Sequence, residues 1–236
     1  MEKIGIIGAM DEELQTLKSA SSGIRETKKA GMTFCEGRLD NTEAVIVKCG
    51  MGKVNAGICT QILIDTFHAE AVINTGVAGS LDRKLGIGDL VISIDAVQHD
   101  YDVSPIGFRR GEIPYTGLAA FPADEQLRKF AVTAVQKAAP DAKAVEGRIC
   151  SGDQFISSAA RKADITAAFG GLCCEMEGGA IAQVCTINQV PFVIIRAISD
   201  AAEEESHVSF ETFLETAAKR CAAVVREMLG EMAGRG

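Results

Sequence analysis

The chain has 236 residues, 47% of them hydrophobic, so it carries enough apolar material for a sizeable core and is not a disordered polymer. A net charge of −8, no Lys/Arg-rich stripe, no Trp and only two Tyr argue against a nucleic-acid partner and leave a small, largely neutral or cationic ligand as the better fit. No run is long and apolar enough to span a bilayer, and Met1-Glu2-Lys3-Ile4 leads straight into a strand pattern without a secretory leader, so a cytoplasmic protein with no membrane partner is expected.

Ile4 to Gly8 reads as a first buried strand, and Asp11-Glu12-Glu13-Leu14 opens a helix with acids where the helix dipole favours them. Residues 28–37 and 43–49 read as strands, followed by a helix over 53–67. Ala71 to Thr75 is a short buried strand that runs into Gly76-Val77-Ala78-Gly79-Ser80, expected to be a small-residue turn where backbone can approach a ligand. Leu90 to Val97 alternates like a strand, and 100–122, with Pro105, Pro114 and Pro122, is a loop long enough to suggest function. Then come a helix near 124–138, a strand over 143–150, a loop at Ser151–Ile156, a helix near 159–168, a strand at 172–175 and a helix from Gly178 to Ile187. A strand from Pro191 follows, and a helix from Val208 to Met232 completes the pattern. Strands and helices alternate without a linker, repeat or composition break, which predicts one α/β domain over 1–236 with a central mixed sheet.

The eight cysteines are scattered through apolar runs, without metal or redox spacing, and read as reduced, buried small residues. His68, His99 and His207 lack zinc-site spacing, so neither a metal nor a cofactor is expected. Gly50-Met51-Gly52-Lys53 has part of a phosphate-loop pattern, but the preceding glycine is missing and Val54 stands where Ser or Thr would hold magnesium. It reads as a turn and helix start. Gly5-Ile6-Ile7-Gly8 falls inside a strand and is no dinucleotide fingerprint.

The stretch Pro191 to Asp200 is the most telling. Its apolar run reads as a strand buried on both faces, yet Arg196 interrupts it and Asp200 closes it. A guanidinium there needs a carboxylate or an anionic ligand, which leaves two readings: a buried structural ion pair, or a site at the strand end where open α/β sheets bind ligands. Glu13 and Glu177 carry the same ambiguity, since each can simply complement its helix dipole. Taken together, three acids and an arginine at one sheet edge, with Phe155 as an apolar wall, suit cleavage of a glycosidic bond. That chemistry needs an acid on the leaving group, a base on water and hydrogen bonds to sugar hydroxyls.

Five blocks in register carry a resemblance: Ile4–Glu13, Asn74–Gly79, Ser151–Ile156, Glu175–Glu177 and Arg196–Asp200, with Ser206–Phe210 following. Over nearly the whole chain they resemble the 5′-methylthioadenosine/S-adenosylhomocysteine nucleosidases, of the nucleoside phosphorylase/hydrolase superfamily. The resemblance implies a three-layer α/β/α fold, a homodimer, and hydrolysis of an adenine nucleoside. It implies that Asp200 protonates adenine at N7, a role open to a carboxylic acid only where its surroundings keep the proton on. It further implies that Glu13 activates water, that Arg196 helps order that water and Glu177, and that Glu177 accepts from the ribose hydroxyls with Met176 on the sugar. Ala78, Gly79 and Ser199 stand at matching positions of the substrate site. Phe155 would stack on adenine and the main chain of Ile156 would read its edge. Met10, Met51 and Phe210 would line the 5′-alkylthio pocket, closed by Val103, Ile106 and Pro114 of the partner's loop. Two departures bear on substrate preference: Val77 stands where many nucleosidases carry Ser, and Ile106 where some carry an aromatic.

Three alternatives stay open. Related phosphorylases use phosphate in place of water, but they hold it with an arginine soon after the first strand, whereas Met10-Asp11-Glu12-Glu13 would repel an anion. A 6-amino-6-deoxyfutalosine hydrolase shares the adenine and ribose and differs beyond C5′. A non-catalytic nucleoside-binding protein would not need all of Glu13, Glu177, Arg196 and Asp200.

Overall fold

The computed structural model describes residues 3–114, 116–200 and 206–234, with the side chains of 206–212 left aside. The strands are β1 (Lys3–Gly8), β2 (Ser22–Lys29), β3 (Met32–Leu39), β4 (Thr42–Lys48), β5 (Ala71–Ser80), β6 (Leu90–Gln98), β7 (Phe121–Pro122), β8 (Ala144–Ser151), β9 (Cys173–Glu175) and β10 (Phe192–Asp200). The helices are α1 (Asp11–Ala20), α2 (Lys53–Asp65), α3 (Glu125–Ala138), α4 (Ala159–Phe169), α5 (Gly178–Ile187) and α6 (Ser206–Ala233). All strands join one mixed sheet. β5 lies between β1 and β10 and pairs in parallel with both, so Glu13, Val77–Gly79 and Ser199–Asp200 gather where these three strands end. Central parallel strands need apolar cover on both faces, which accounts for the continuous burial of β10.

The expected layers are present. On one face α1, α3 and α6 bury Leu14, Leu17, Leu127, Phe130, Val225 and Leu229 against Ile4, Ile6, Ile73 and Ile195. On the other, α2 and α5 bury Cys59, Leu63, Ile181 and Cys185 against Ile7, Val45, Val72 and Ile194. α3 shows local and tertiary signals agreeing: Asp124 caps it by accepting from the Leu127 N–H at 2.8 Å, and its apolar positions recur at helical spacing.

Four local expectations change. Residues 28–37 are not one strand, because the chain reverses at Ala30–Gly31, where φ is positive at both residues (49° and 78°), a two-residue hairpin. β2 is an exposed edge strand of sequence SGIRETKK, so it lacks the alternation that marks a half-buried strand. Residues 76–80 are not a turn; β5 runs on through Ser80. The sheet also closes on itself, since β10 pairs with both β5 and β6 and a circuit runs β5-β9-β8-β6-β10. Within 100–122 the chain makes a short 3-10 turn at Ser104–Ile106 before reaching β7.

Candidate active site

At the ends of β1, β5 and β10 lies a cleft of about 580 Å3, counting its open mouth. Its lining includes Met10, Glu13, Met51, Val77, Ala78, Gly79, Phe155, Ile156, Met176, Glu177, Ser199 and Asp200. Thus most sequence-predicted residues converge in one place. Glu13, Glu177 and Asp200 are buried, while Phe155 and Met51 are exposed at 48% and 63%. Arg196 does not line the cleft; it lies behind it at 2% exposure. Val103, Ile106 and Pro114 do not line it either, and Ile106 is 71% exposed. The Phe210 side chain falls outside the described residues.

Glu13 fulfils both readings of a helix-start acid. Its Oε2 accepts from the Ala9 and Met10 N–H groups at 2.6 and 3.0 Å, capping α1, and its Oε1 accepts from the Val77 N–H at 3.1 Å. The carboxyl therefore ties β1 to β5 across the cleft. Gly76 is required opposite it: a Cβ there would collide with Glu13 Oε1. Burial holds the Glu13 carboxyl above its usual range, and the Arg196 charge and the three N–H groups only partly offset this.

Arg196 satisfies its charge against a residue the sequence reading passed over. Its Nη2 donates to Glu175 Oε2 at 2.6 Å and also to Asn74 Oδ1. Glu175 further accepts from the Glu177 and Gly178 N–H groups at 3.0 and 2.8 Å, the start of α5, and from the Ser151 hydroxyl. Burial alone would raise the Glu175 carboxyl, but Arg196, Ser151 and the backbone donors outweigh it and hold it below its ordinary value. Burial opposes the Arg196 charge in turn, and the surrounding carboxylates override that, so the guanidinium keeps its proton.

One buried cation thus faces Glu13, Glu175 and Glu177. Glu175 claims it, and the other two acids are left short of positive charge. Burial, reinforced by the neighbouring Glu175 charge, pushes Glu177 up to about 8. Its Oε1 accepts from the Gly52 N–H at 2.7 Å. The Gly50-Met51-Gly52-Lys53 turn, read from sequence as plain, therefore builds the site. Gly52 has φ of 96°, a conformation that favours glycine, and the turn orients an N–H onto Glu177.

Asp200 ends β10 after a register shift between Ile198 and Asp200, the kind of irregularity that re-aims a side chain. Ser199 Oγ lies 3.1 Å from Asp200 Oδ1 and donates to it. Lys162 Nζ donates to Oδ2 at 3.1 Å. Gly79 admits the carboxyl at close range, for a Cβ there would stand 2.9 Å from Oδ2. The sequence carried a signal for Lys162 that went unused. It shares the buried face of α4 with Ile165 and Phe169, at i, i+3 and i+7.

These acids sit around an apolar cleft with a cation held in reserve, and the chain that carries them matches known proteins over nearly its whole length. The phosphorylase superfamily model matches residues 3–230. A 5′-methylthioadenosine/S-adenosylhomocysteine nucleosidase of Geobacillus kaustophilus is 49% identical over 232 residues, covering 98% of this chain and 97% of that protein. The chain belongs to this nucleosidase family. The nucleosidase of Colwellia psychrerythraea, solved in complex with adenine, superposes with a TM-score of 0.93 at 42% identity, over 98% of this chain and 95% of that one. The futalosine hydrolase of Helicobacter pylori superposes with a TM-score of 0.92 at 35% identity, over 98% of each. The nucleosidase-family chain is thus an α/β protein of the phosphorylase superfamily. No helix among its described residues is long and apolar enough to cross a membrane.

Proposed function

We propose that the chain hydrolyses the N-glycosidic bond of 5′-methylthioadenosine and S-adenosylhomocysteine, releasing adenine and the 5-thio-substituted ribose. The observation that carries this reading is the convergence of Glu13, Glu177 and Asp200 on one cleft whose other walls are Met10, Met51, Phe155 and Met176. Asp200 acts at the purine end, delivering the proton that makes adenine a neutral leaving group. Glu13, rigidly held at the far side, takes the proton of the attacking water. Glu177 accepts from the ribose hydroxyls, and Arg196 steadies this end of the site through Glu175. Met10 and Met51 offer soft, apolar contact to a thioether. Phe155 faces the adenine ring and Ile156 its edge.

Water is favoured over phosphate because, among the described residues lining the cleft, there is no Lys or Arg, and an anion would meet Glu13 and Glu177. The second reading, hydrolysis of an adenine nucleoside with a larger 5′ substituent such as 6-amino-6-deoxyfutalosine, draws support from the Helicobacter pylori neighbour. The protein acts in the cytoplasm as a homodimer. The exposed Ile106, with Val103 and Pro114, then closes the partner's 5′-alkylthio pocket, and Met51 and Val54, 63% and 72% exposed, supply apolar surface for contact. Asp200→Asn tests the assignment: it should bind methylthioadenosine yet lose about 10²–10⁴-fold in turnover, since an amide is no acid. Near-normal turnover would defeat it.

A further inference from the structure

Lys162 is a lysine where the helix pattern calls for an apolar residue. On α4 the residues flanking it, Arg161, Ala163 and Asp164, are exposed, while Lys162 at 3% exposure continues the stripe of Ile165 and Phe169. α4 follows directly on the Gln154–Ser158 loop that carries Phe155 and Ile156, and it starts on Ser158, whose Oγ accepts from the Arg161 N–H. Its ammonium reaches across to Asp200, so the pair links the loop assigned to the purine with the acid assigned to the purine. Both charged side chains are withdrawn from water, at 4% and 2% exposure. Withdrawing both charges from water offsets much of their attraction, so such a pair is weak evidence for stability.

The hydrogen bonds of Asp200 give the pair a chemical meaning. Oδ1 accepts from Ser199 and Oδ2 from Lys162. A lysine nitrogen thus stands as a donor within hydrogen-bond distance of the acid assigned to the purine. We propose that Lys162 is the positioning residue and proton store of this site, so that the acid acting on purine N7 is the Lys162–Asp200 pair and not a lone carboxyl; the inference rests on the nucleosidase reading above. A proton passes from Lys162 Nζ to Asp200, and Asp200 delivers one to N7 as the C1′–N9 bond breaks and its electron pair enters the purine. Water bonds to C1′ and yields its proton to Glu13. Adenine leaves neutral, and the proton gained at Glu13 returns through solvent to Lys162, so the cycle consumes only nucleoside and water.

Among the described residues, the Cys174 thiol of β9 responds to both charges. Burial, and then the Asp200 charge, push it up to about 12, so it does not titrate in the working range. Glu13 and Glu177 belong to the sugar end of the site.

The test is the pH dependence of adenine release from methylthioadenosine, from about pH 5 to 10, for wild type, Lys162→Met and Lys162→Arg, with melting curves to show that each variant folds. In Lys162→Met, Asp200 must hold the proton by itself. Turnover at the acid end should stay within about tenfold of wild type, while the alkaline limb of kcat/KM moves down by about one pH unit or more. Lys162→Arg keeps the charge and the pairing but does not release its proton, so KM should hold while kcat falls about 100-fold at every pH. A Lys162→Met profile that superimposes on wild type, or full rescue of kcat by Arg, would overturn the proposal. Should Lys162→Met not fold, the KM-against-kcat split in Lys162→Arg decides. A wild type that releases no adenine removes the nucleosidase reading and this inference with it, a result distinct from an unaltered profile in an active enzyme.

Discussion

Replacing Glu177 by Gln isolates the electrostatic shortage at the centre of the site. In the fold the carboxyl holds its proton to about pH 8, against an ordinary value of 4.5 in the unfolded chain. Below pH 4.5 both states are protonated and the group is silent. As pH rises from there towards 8, the unfolded chain sheds the proton freely while the folded chain must either keep it or ionise beside Glu175, so stability is withdrawn across that window. At about 1.4 kcal/mol per pH unit the full loss approaches 5 kcal/mol. Because Glu177 responds to the Glu175 and Glu13 charges as well as to burial, about 2–5 kcal/mol is the expected range. The Gln variant lacks this titration and retains an acceptor for the Gly52 N–H. Urea unfolding of both proteins at about pH 5 and pH 9 gives the comparison. The stability of Glu177→Gln relative to wild type should increase by that amount at the higher pH, and differencing removes groups common to both. A difference that stays flat within about 0.5 kcal/mol would refute the reasoning. At about pH 9, where the wild-type carboxylate is ionised, the same variant should lose about 10- to 100-fold in kcat/KM, since a charge-assisted acceptor for the ribose hydroxyls is gone.

Three further outcomes are expected. Arg196→Met leaves Glu175 buried without its partner and should cost about 3–5 kcal/mol, seen as a fall in Tm on the order of 10 °C; an unchanged Tm would show that Asn74, Ser151 and the α5 N–H groups suffice for Glu175. Gly79→Ala puts a methyl 2.9 Å from Asp200 Oδ2 and should lower kcat/KM about 100-fold by displacing the carboxyl, and wild-type kinetics would show that Asp200 tolerates the shift. Glu13→Gln presents an amide nitrogen to backbone donors and removes the base, so turnover should drop by about 10²–10⁴; unaltered hydrolysis would reduce Glu13 to a helix-start acid.

The order of elements was legible because buried parallel strands and amphipathic helices leave strong apolar periods, as in β1, β10 and α3. β2 left none, since an exposed edge strand has no buried face to mark. Closure of the sheet was not legible either, because it depends on β10 finding both β5 and β6, a long-range pairing with no local signature. For the site, charge at the end of an apolar strand pointed to Arg196 and Asp200, and the fold sets Asp200 in the cleft lining and Arg196 buried behind it. What escaped were the groups that make those charges tolerable. Glu175 stood in plain view beside Glu177, but only the fold shows that it takes the guanidinium. Gly52 contributes through its backbone N–H, which no residue type announces. The stretch 76–80 is rich in small residues for a reason other than turning: β5 passes so close to Glu13 and Asp200 that Gly76 and Gly79 leave room for their carboxyls.

The most direct test of the account is adenine release from methylthioadenosine with and without phosphate, following the sugar product. The account predicts equal rates in both conditions and free methylthioribose. A rate that requires phosphate and yields a ribose 1-phosphate product would contradict it, and with it the role given to Glu13.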